Sequence, residues 1–375
     1  MKKSIYATAL AAVATLALAS CGDAPDEEPA EPAGDATTEE TGDATGEATG
    51  EAADFLACLI SDQGGWDDQS FNQSAMEGAR LAETELGITV QGAESQSDAD
   101  FGPNVDAMVQ EGCNITIGVG FLLEDHIQGA AEGNPDLDFG LVDATFSEGD
   151  PPEPVTLDNA KPIIFNTAEA AYLAGYLAAG MTETGTVATF GGIAIPSVTI
   201  FMDGFVDGVA KYNEDNDGDV NVLGWDKEAQ DGSFSGDFED QGQGQQLTNN
   251  FIGQGADIVM PVAGPVGLGA AAAAENADSD VWIVGVDSDW TESTDFADII
   301  LGSVVKEIGA GVFDTIEQSL NGSFSGEPYI GDLENGGVSL ALGSAEVPQE
   351  LQDQITALQE QIVSGEIVVE TPSAP

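Results

Sequence analysis

Short apolar runs recur along the chain from residue 55 onward, and each is followed by residues typical of turns. Near-continuous apolar character over so few residues is typical of strands buried on both faces of a parallel sheet. The runs span residues 55–60, 115–119, 139–142, 186–190, 220–223, 258–262 and 281–286. The pattern therefore predicts a series of parallel strands.

Helical periodicity occupies several of the intervals between these runs. Residues 70–86 carry Phe71, Ala75, Ala79, Ala82 and Leu86 at spacings that bring them to one helix face. Residues 168–181 and 267–276 have similar helical patterns. Alternation of strand and helix predicts a doubly wound α/β fold.

The first 53 residues have a different pattern. Lys2 and Lys3 precede an apolar run at 5–19, which is shorter than the roughly 20 residues that span a bilayer, so residues 1–20 are predicted to be a signal peptide. The run closes on Leu-Ala-Ser-Cys21, which resembles the lipobox at which bacterial prolipoproteins are cut and acylated. Residues 21–53 are acidic, lack Lys and Arg, and predict a disordered tether. We expect a membrane anchor at Cys21 on the extracytoplasmic face.

The charge balance excludes several functions. The chain has 68 Asp and Glu residues against 7 Lys and Arg, a formal net charge of −61. Nucleic-acid binding needs a basic surface, so we expect none. One His and three Cys do not suffice for common zinc sites or histidine triads. Acidity of this degree is typical of proteins from high-salt hosts.

The two later cysteines and one acidic loop give little indication of metal binding or catalysis. Cys58 and Cys113 both adjoin apolar strand patterns, so a disulfide and two buried thiols remain equally open. Residues 213–219 have the spacing of a calcium loop, but Gly224 stands where the bidentate Glu belongs. We therefore predict no metal or cofactor, and no enzymatic activity.

Polar and glycine-rich segments follow the predicted strands. Ligands of open α/β sheets bind beyond the carboxyl ends of the strands, and these segments are rich in Gly, carboxylates and aromatic rings. Such residues suit a neutral, ring-bearing solute better than an anionic phosphate ester, because basic partners are scarce. The segments span residues 61–68, 120–124, 143–145, 191–196, 263–269 and 287–290.

An ordered set of motifs resembles the basic membrane protein family, the purine-nucleoside-receptor type of substrate-binding lipoprotein that serves ABC importers. The strongest match is DDQSFNQSA at 67–75. Further similar motifs are GVGF at 118–121, FGLVD at 139–143, EAAYLAG at 169–175, FMDGF at 201–205, GADI at 255–258, VAG at 262–264, GVDSD at 285–289 and SVVK at 303–306.

The resemblance implies a class B (type I) periplasmic-binding-protein fold, in which two Rossmann-like lobes are joined by a hinge around a ligand cleft. Lobe one would span 54–163 and be completed by about 288–325. Lobe two would span 164–287 and be completed by about 326–375. The implied function is capture of nucleosides, mainly purine nucleosides, for an ABC permease and ATPase encoded as separate chains.

Family positions also imply individual roles. Asp68 and Asn72 would bind the base edge, with helix capping as the structural alternative for both. Trp66 and Phe234 would stack on the base from either side, and Asp287 would bind ribose hydroxyls. Lys306 would bind the ligand or Asp287. Asp143 and Gly264, at similar positions after predicted strands, are further candidates for ligand binding. Phe121 would pack in the cleft wall.

Three alternatives remain open at this stage. The same fold could serve an extracytoplasmic ligand sensor, or it could bind another small neutral solute such as a sugar. Adjacent acids at Asp67 and Asp68 could also suggest a nucleoside hydrolase, although neighbouring residues on a turn point in different directions.

Overall fold

A computed structural model describes residues 50–149 and 152–375. The predicted signal peptide, the predicted acylation site at Cys21 and nearly all of the predicted tether lie outside the described residues. Among the helices that are described, none combines the length and the apolar character needed to span a bilayer.

The described chain alternates strands and helices. The strands are β1 Leu56–Ser61, β2 Thr89–Ala93, β3 Ile115–Val119, β4 Asp138–Val142, β5 Phe146–Glu148, β6 Glu153–Val155, β7 Ala160–Phe165, β8 Thr186–Gly191, β9 Asn221–Leu223, β10 Trp225–Asp226, β11 Asp231–Gly232, β12 Ile258–Val262, β13 Trp282–Asp287, β14 Ile300–Lys306, β15 Tyr329–Gly331 and β16 Val338–Leu342. The helices are α1 Gly50–Ala53, α2 Phe71–Leu86, α3 Asp98–Glu111, α4 Glu124–Gly133, α5 Thr167–Met181, α6 Pro196–Asn216, α7 Gln241–Ile252, α8 Pro265–Glu275, α9 Trp290–Ser293, α10 Ile308–Leu320 and α11 Gln349–Val363.

Two six-stranded sheets form the body. The first has the order β15-β7-β4-β3-β1-β2 and is parallel throughout. The second has the order β16-β14-β13-β12-β8-β9 and is parallel except at the β14–β16 edge. We call the first sheet and its helices lobe one, and the second sheet and its helices lobe two. The prediction of a doubly wound α/β fold is confirmed.

The chain passes between the lobes three times. It leaves the first sheet after Phe165, returns after Lys306 through α10 to β15, and leaves again between β15 and β16. The boundary at 287 in the sequence-based division falls at the end of β13. Because β14 pairs with β13, the second sheet continues through Lys306 before the chain returns to lobe one.

Both sheets are buried by apolar residues from strands and helices. Most residues of β1, β3, β8 and β12 have no exposed surface, as the near-continuous apolar runs predicted. Cys58 of β1 and Cys113, which precedes β3, form a disulfide between neighbouring strands. This resolves the alternative that the sequence left open.

Candidate functional site

A cleft lies where the carboxyl ends of strands from both sheets meet. Such strand ends are the usual ligand sites of open α/β sheets. The lining residues are Asp62, Gln63, Asp68, Phe71, Asn72, Gly120, Phe121, Asp143, Ile195, Ser197, Val198, Phe201, Phe238, Val262, Ala263, Gly264, Pro265, Asp287 and Lys306. Both lobes contribute to this set.

One end of the cleft, the amide end, is formed by Asp62, Gln63 and Asn72. The Asn72 amide nitrogen donates to Asp62 Oδ1 at 3.3 Å and to the Gln63 carbonyl at 3.0 Å. The side-chain oxygens of Asn72 and Gln63 are buried and accept no hydrogen bond within the described structure. Leaving buried acceptors unpaired costs free energy.

Asp62 follows β1 directly and is 8% exposed. Burial raises the pKa of its carboxyl well above the usual range, and the hydrogen bond from Asn72 opposes this shift. Gly120, at the end of β3, has φ of 115°, and a Cβ atom there would collide with the Asp62 carboxylate. Glycine at 120 therefore allows the acid to lie against the neighbouring strand end.

Asp68 caps the N-terminus of α2. Its Oδ1 accepts from the backbone N–H groups of Ser70 and Gln73, each at 3.0 Å, and its Oδ2 accepts from that of Asn72 at 2.8 Å. Burial raises the pKa of Asp68 to about 6 despite these donors. Asp68 lines the cleft, but three backbone amides already use most of its acceptor capacity.

A second group of lining residues, the charged end, is formed by Lys306, Asp143 and Asp287. Lys306 Nζ lies 2.5 Å from Asp143 Oδ2 and 3.2 Å from Asp287 Oδ1. The second contact lacks hydrogen-bond geometry, so Asp287 Oδ1 is buried without a hydrogen bond among the described residues. Burial lowers the pKa of Lys306, but the two carboxylates outweigh it and raise that pKa overall. The lysine is charged.

Backbone conformation at the charged end is unusual. Asp143 follows β4 and Asp287 ends β13, and both have left-handed φ, at 64° and 67°. Asp tolerates this region better than most residues, at some cost in energy. Such strain persists only where surrounding structure stabilises it, and here it accompanies the ion pairs with Lys306.

Three phenylalanine rings surround the Lys306 ammonium. Its Nζ lies 5.0 Å from the centroid of Phe71, 5.2 Å from that of Phe201 and 5.6 Å from that of Phe165. Aromatic faces attract a cation at these distances. The lysine, 3% exposed, is held by two carboxylates and three rings.

The predicted aromatic pair is not brought together at the cleft. Trp66 packs over Gly92 beside Met76 in lobe one, and its backbone N–H donates to Glu94. Phe234 packs edge-on against Trp225 in lobe two. Rings that do line the cleft include Phe121 from lobe one and Phe238 from lobe two.

The other predicted site residues, Asp68, Asn72, Asp143, Gly264, Asp287 and Lys306, do line the cleft. Segment 61–68 was expected to contact a ligand, but Asp62 and Gln63 were not singled out within it, and Phe71, Phe201 and Phe238 were not predicted for the site. Position after a buried strand could have identified Asp62 and Gln63, because they follow β1 directly. Phe71 and Phe201 lie in helices, where their apolar character suggests packing rather than a site.

Comparisons with known proteins agree with this geometry. The sequence model of the Bmp family, described as "ABC transporter substrate-binding protein PnrA-like", matches residues 56–373. The "ABC transporter nucleoside-binding protein BmpA" of Lactococcus lactis subsp. cremoris is 31% identical, over 84% of this chain and 89% of that protein. "Basic membrane protein A1" of Borrelia garinii subsp. bavariensis is 28% identical, over 83% of this chain and 87% of that protein.

A solved ABC transporter solute-binding protein from Aeropyrum pernix K1 has a similar structure. It is 25% identical, with a TM-score of 0.74, and the match covers 85% of this chain and 94% of that one. The fold is thus the class B periplasmic-binding-protein fold, with two α/β lobes around a ligand cleft. Because the family model matches most of the sequence, this chain belongs to the PnrA-like family of ABC transporter substrate-binding proteins.

Proposed function

We propose that this protein captures purine nucleosides in the cleft between its lobes and delivers them to an ABC permease. The observation that carries the proposal is a cleft lined by two groups of polar residues, the amide end and the charged end, together with aromatic rings. Unpaired amide oxygens at one end suit a nucleobase, and the carboxylates and lysine at the other suit vicinal hydroxyls.

The base would lie at the amide end. Asn72 Oδ1 is buried and unpaired in the described structure, so it can accept from a ring or amino N–H of the base. Asp62 adjoins Asn72 and offers a second polar group to the same edge. Phe121 and Phe238 belong to different lobes, so closing the cleft would bring a ring from each side toward the flat base.

The ribose would lie at the charged end. Asp287 Oδ1 accepts no hydrogen bond in the described structure and can accept from a hydroxyl. Lys306 has three N–H donors, and one of them donates to Asp143. Another can donate to a hydroxyl oxygen. Four carboxylates and one ammonium line the cleft, which disfavours a phosphate ester and favours the neutral nucleoside.

The lobes are in hydrogen-bonded contact beside the cleft, as closure around a ligand requires. Ser70, at the start of α2, donates to the Val286 carbonyl at 3.0 Å, and Ser288 donates to the Gln69 carbonyl at 3.1 Å. A ligand that contacts both lobes binds this arrangement more tightly than an open one, and that difference in affinity drives closure.

The same proposal places the protein at the cell membrane. Acylation at Cys21 would anchor it on the extracytoplasmic face, and the acidic residues 21–53 would act as an extended spacer. The permease and the ATPase would be separate chains, which receive the closed, nucleoside-loaded form. Mass spectrometry of membrane-extracted protein would detect a lipid on Cys21, and unmodified, freely secreted protein would contradict the anchor.

Isothermal titration calorimetry of the purified protein in high-salt buffer tests the ligand. The ligands compared are guanosine, inosine, adenosine, cytidine, uridine, guanine, ribose and myo-inositol. We expect purine nucleosides to bind, and Asn72→Ala and Asp287→Ala to abolish measurable binding. Asn250→Ala and Asp295→Ala make the same changes at exposed positions and should bind as the wild type does.

Two results would overturn the proposal in different ways. Binding of ribose or myo-inositol without any nucleoside would leave a solute-binding protein of another specificity. If nucleosides still bind to both Asn72→Ala and Asp287→Ala, the nucleoside site lies outside this cleft.

A further inference from the structure

We infer that two hydrogen bonds between the lobes, from Ser70 to Val286 and from Ser288 to Gln69, act as a latch that sets how tightly the protein holds its ligand. These four residues are called the latch below. The inference rests on the proposed capture by closure, but it does not depend on which solute is captured.

The two hydrogen bonds of the latch run in opposite directions. Ser70, just before α2 in lobe one, donates to the backbone carbonyl of Val286 in β13 at 3.0 Å. Ser288, just after β13 in lobe two, donates back to the backbone carbonyl of Gln69 at 3.1 Å. Both acceptors are backbone atoms, so the latch depends on two serine hydroxyls. Ser70 is 2% exposed, and a buried hydrogen bond is costly to break because water does not replace the lost partner.

Backbone conformation on both sides of the latch is unusual. Gln69 has φ of 57°, and Asp287, which lies between Val286 and Ser288, has φ of 67°. Left-handed conformations are unfavourable for residues other than glycine and persist where surrounding contacts stabilise them. The latch supplies such contacts to both turns at the point where the lobes meet.

The latch lies beside the cleft but does not belong to its lining. The lining includes Asp287, whereas Gln69, Ser70 and Ser288 are not part of it. The Ser70 hydroxyl also lies 3.3 Å from Asp287 Oδ2, so it connects the latch to a carboxylate of the charged end. The two serines are therefore positioning residues, which act on the lobes rather than on the ligand.

A contact that forms only when the lobes meet stabilises the closed form alone. A ligand that the closed form encloses then binds more tightly by the same factor, whatever its own hydrogen-bonding groups are. Loss of a latch hydroxyl should accordingly weaken every ligand equally and leave the preference among ligands unchanged.

Calorimetry of Ser288→Ala with guanosine, inosine and adenosine tests this equality. We expect the three Kd values to rise by one common factor of about 3 to 10, the effect of one hydrogen bond. Ser288→Thr keeps the hydroxyl and should restore wild-type affinity. Ser293→Ala is the matched control, because it removes the other hydroxyl that Ser288 contacts, at 3.0 Å within lobe two, and it should bind as the wild type does.

Dissociation kinetics separate a latch from a merely structural serine. Stopped-flow displacement of guanosine should show a dissociation rate that rises by the same factor as Kd, with an unchanged association rate, because the latch acts after the ligand has entered. A serine that only supports the fold would lower the urea midpoint of unfolding and leave both rates of the folded variant as they are in the wild type.

Unchanged Kd values for Ser288→Ala, or weakening confined to one of the three nucleosides, would overturn the latch and leave nucleoside capture intact. If Ser288→Ala does not fold, Ser70→Ala removes the other hydrogen bond and is held to the same expectation of equal weakening. Absence of nucleoside binding by the wild type would instead overturn the proposed function. The latch would then be tested by the same ratio of Kd values with ribose or myo-inositol.

Discussion

Lys306 and Asp143 form an ion pair 2.5 Å long although their strands belong to different sheets. Lys306 ends β14 in lobe two, and Asp143 follows β4 in lobe one. Asp287, which ends the neighbouring β13, lies 3.2 Å from the ammonium through its Oδ1. One buried cation thus neutralises carboxylates from both lobes at the point where the chain crosses between them.

Lys306→Met should be strongly destabilising, because it leaves Asp143 and Asp287 buried without their cation. Breaking one side of a buried ion pair typically costs about 3 to 5 kcal/mol, and urea unfolding would measure the loss. Lys211→Met removes a partly exposed ion pair with Asp215 and should cost less than about 1 kcal/mol.

A double variant separates charge from packing at this position. Asp143→Asn added to Lys306→Met removes one of the two uncompensated carboxylates, so it should recover part of the lost stability. If the double variant is no more stable than Lys306→Met, the lysine acts through its contacts with the phenylalanine rings rather than through charge.

The aromatic rings of the cleft make a second prediction. Phe238→Ala should weaken guanosine binding by about 10- to 100-fold, since base stacking on an aromatic ring is worth roughly 1 to 3 kcal/mol. Phe234→Ala, a substitution of the same kind four residues away, should change the affinity by less than threefold because its ring packs on Trp225. Calorimetry of the folded variants decides between the two rings, and the reverse order of effects would restore the stacking role predicted for Phe234.

Strand ends explain how much of the site the sequence could predict. Asp143 and Asp287 follow apolar runs, and parallel strands bring their carboxyl ends to one edge, so these acids could be expected at the cleft. Trp66 and Phe234 lie in irregular loops, where the direction of a side chain depends on turns that residue spacing does not determine. The structure accordingly places these two strand-end acids in the lining of the cleft and leaves Trp66 and Phe234 out of that lining.

The crossing between lobes was harder to locate for a related reason. The segment 300–306 continues the second sheet through pairing with β13, and such pairing between distant segments leaves no local periodicity. The family resemblance predicts a hinge. The backbone pairing shows that the chain crosses back to lobe one only after Lys306. Likewise, the hydrogen bond from Gln63 to Asp98, 35 residues away, leaves no local pattern that would single out Gln63.

The elevated pKa of Asp68 predicts a pH-dependent contribution to stability. Its folded-state pKa is about 6, and its unfolded value is about 3.9, so between these values the folded protein binds more protons than the unfolded chain. The contribution of Asp68 to the free energy of unfolding should therefore increase as the pH falls from 7.5 to 4.5.

Comparison with Asp68→Asn isolates this group from the many other carboxylates. The difference in the free energy of unfolding, wild type minus variant, should rise by about 2 kcal/mol across that pH range. Urea unfolding at four pH values would measure it, and Asp67→Asn removes an exposed carboxylate from the same turn as the matched control. A difference that stays constant or falls toward pH 4.5 would contradict the elevated pKa.

Helix packing in lobe one gives the final prediction, in which one type of substitution has opposite effects at two sites. Gly78 of α2 lies against Gly309 of α10, and a Cβ atom at 78 would collide with the Gly309 backbone. Gly78→Ala should therefore destabilise the protein by about 1 to 3 kcal/mol, the usual cost of overpacking. Gly129 of α4 is exposed and has no atom within 4 Å of an added Cβ.

Gly129→Ala should accordingly stabilise the protein by about 0.5 to 1 kcal/mol, because alanine has the higher helix propensity. Thermal unfolding of the two variants under one condition measures both effects. Stabilisation by both substitutions would mean that α2 and α10 can separate without loss, so that their close approach is incidental. Opposite signs would establish that glycine at 78 is required for the approach of α10, the helix through which the chain returns to lobe one after Lys306.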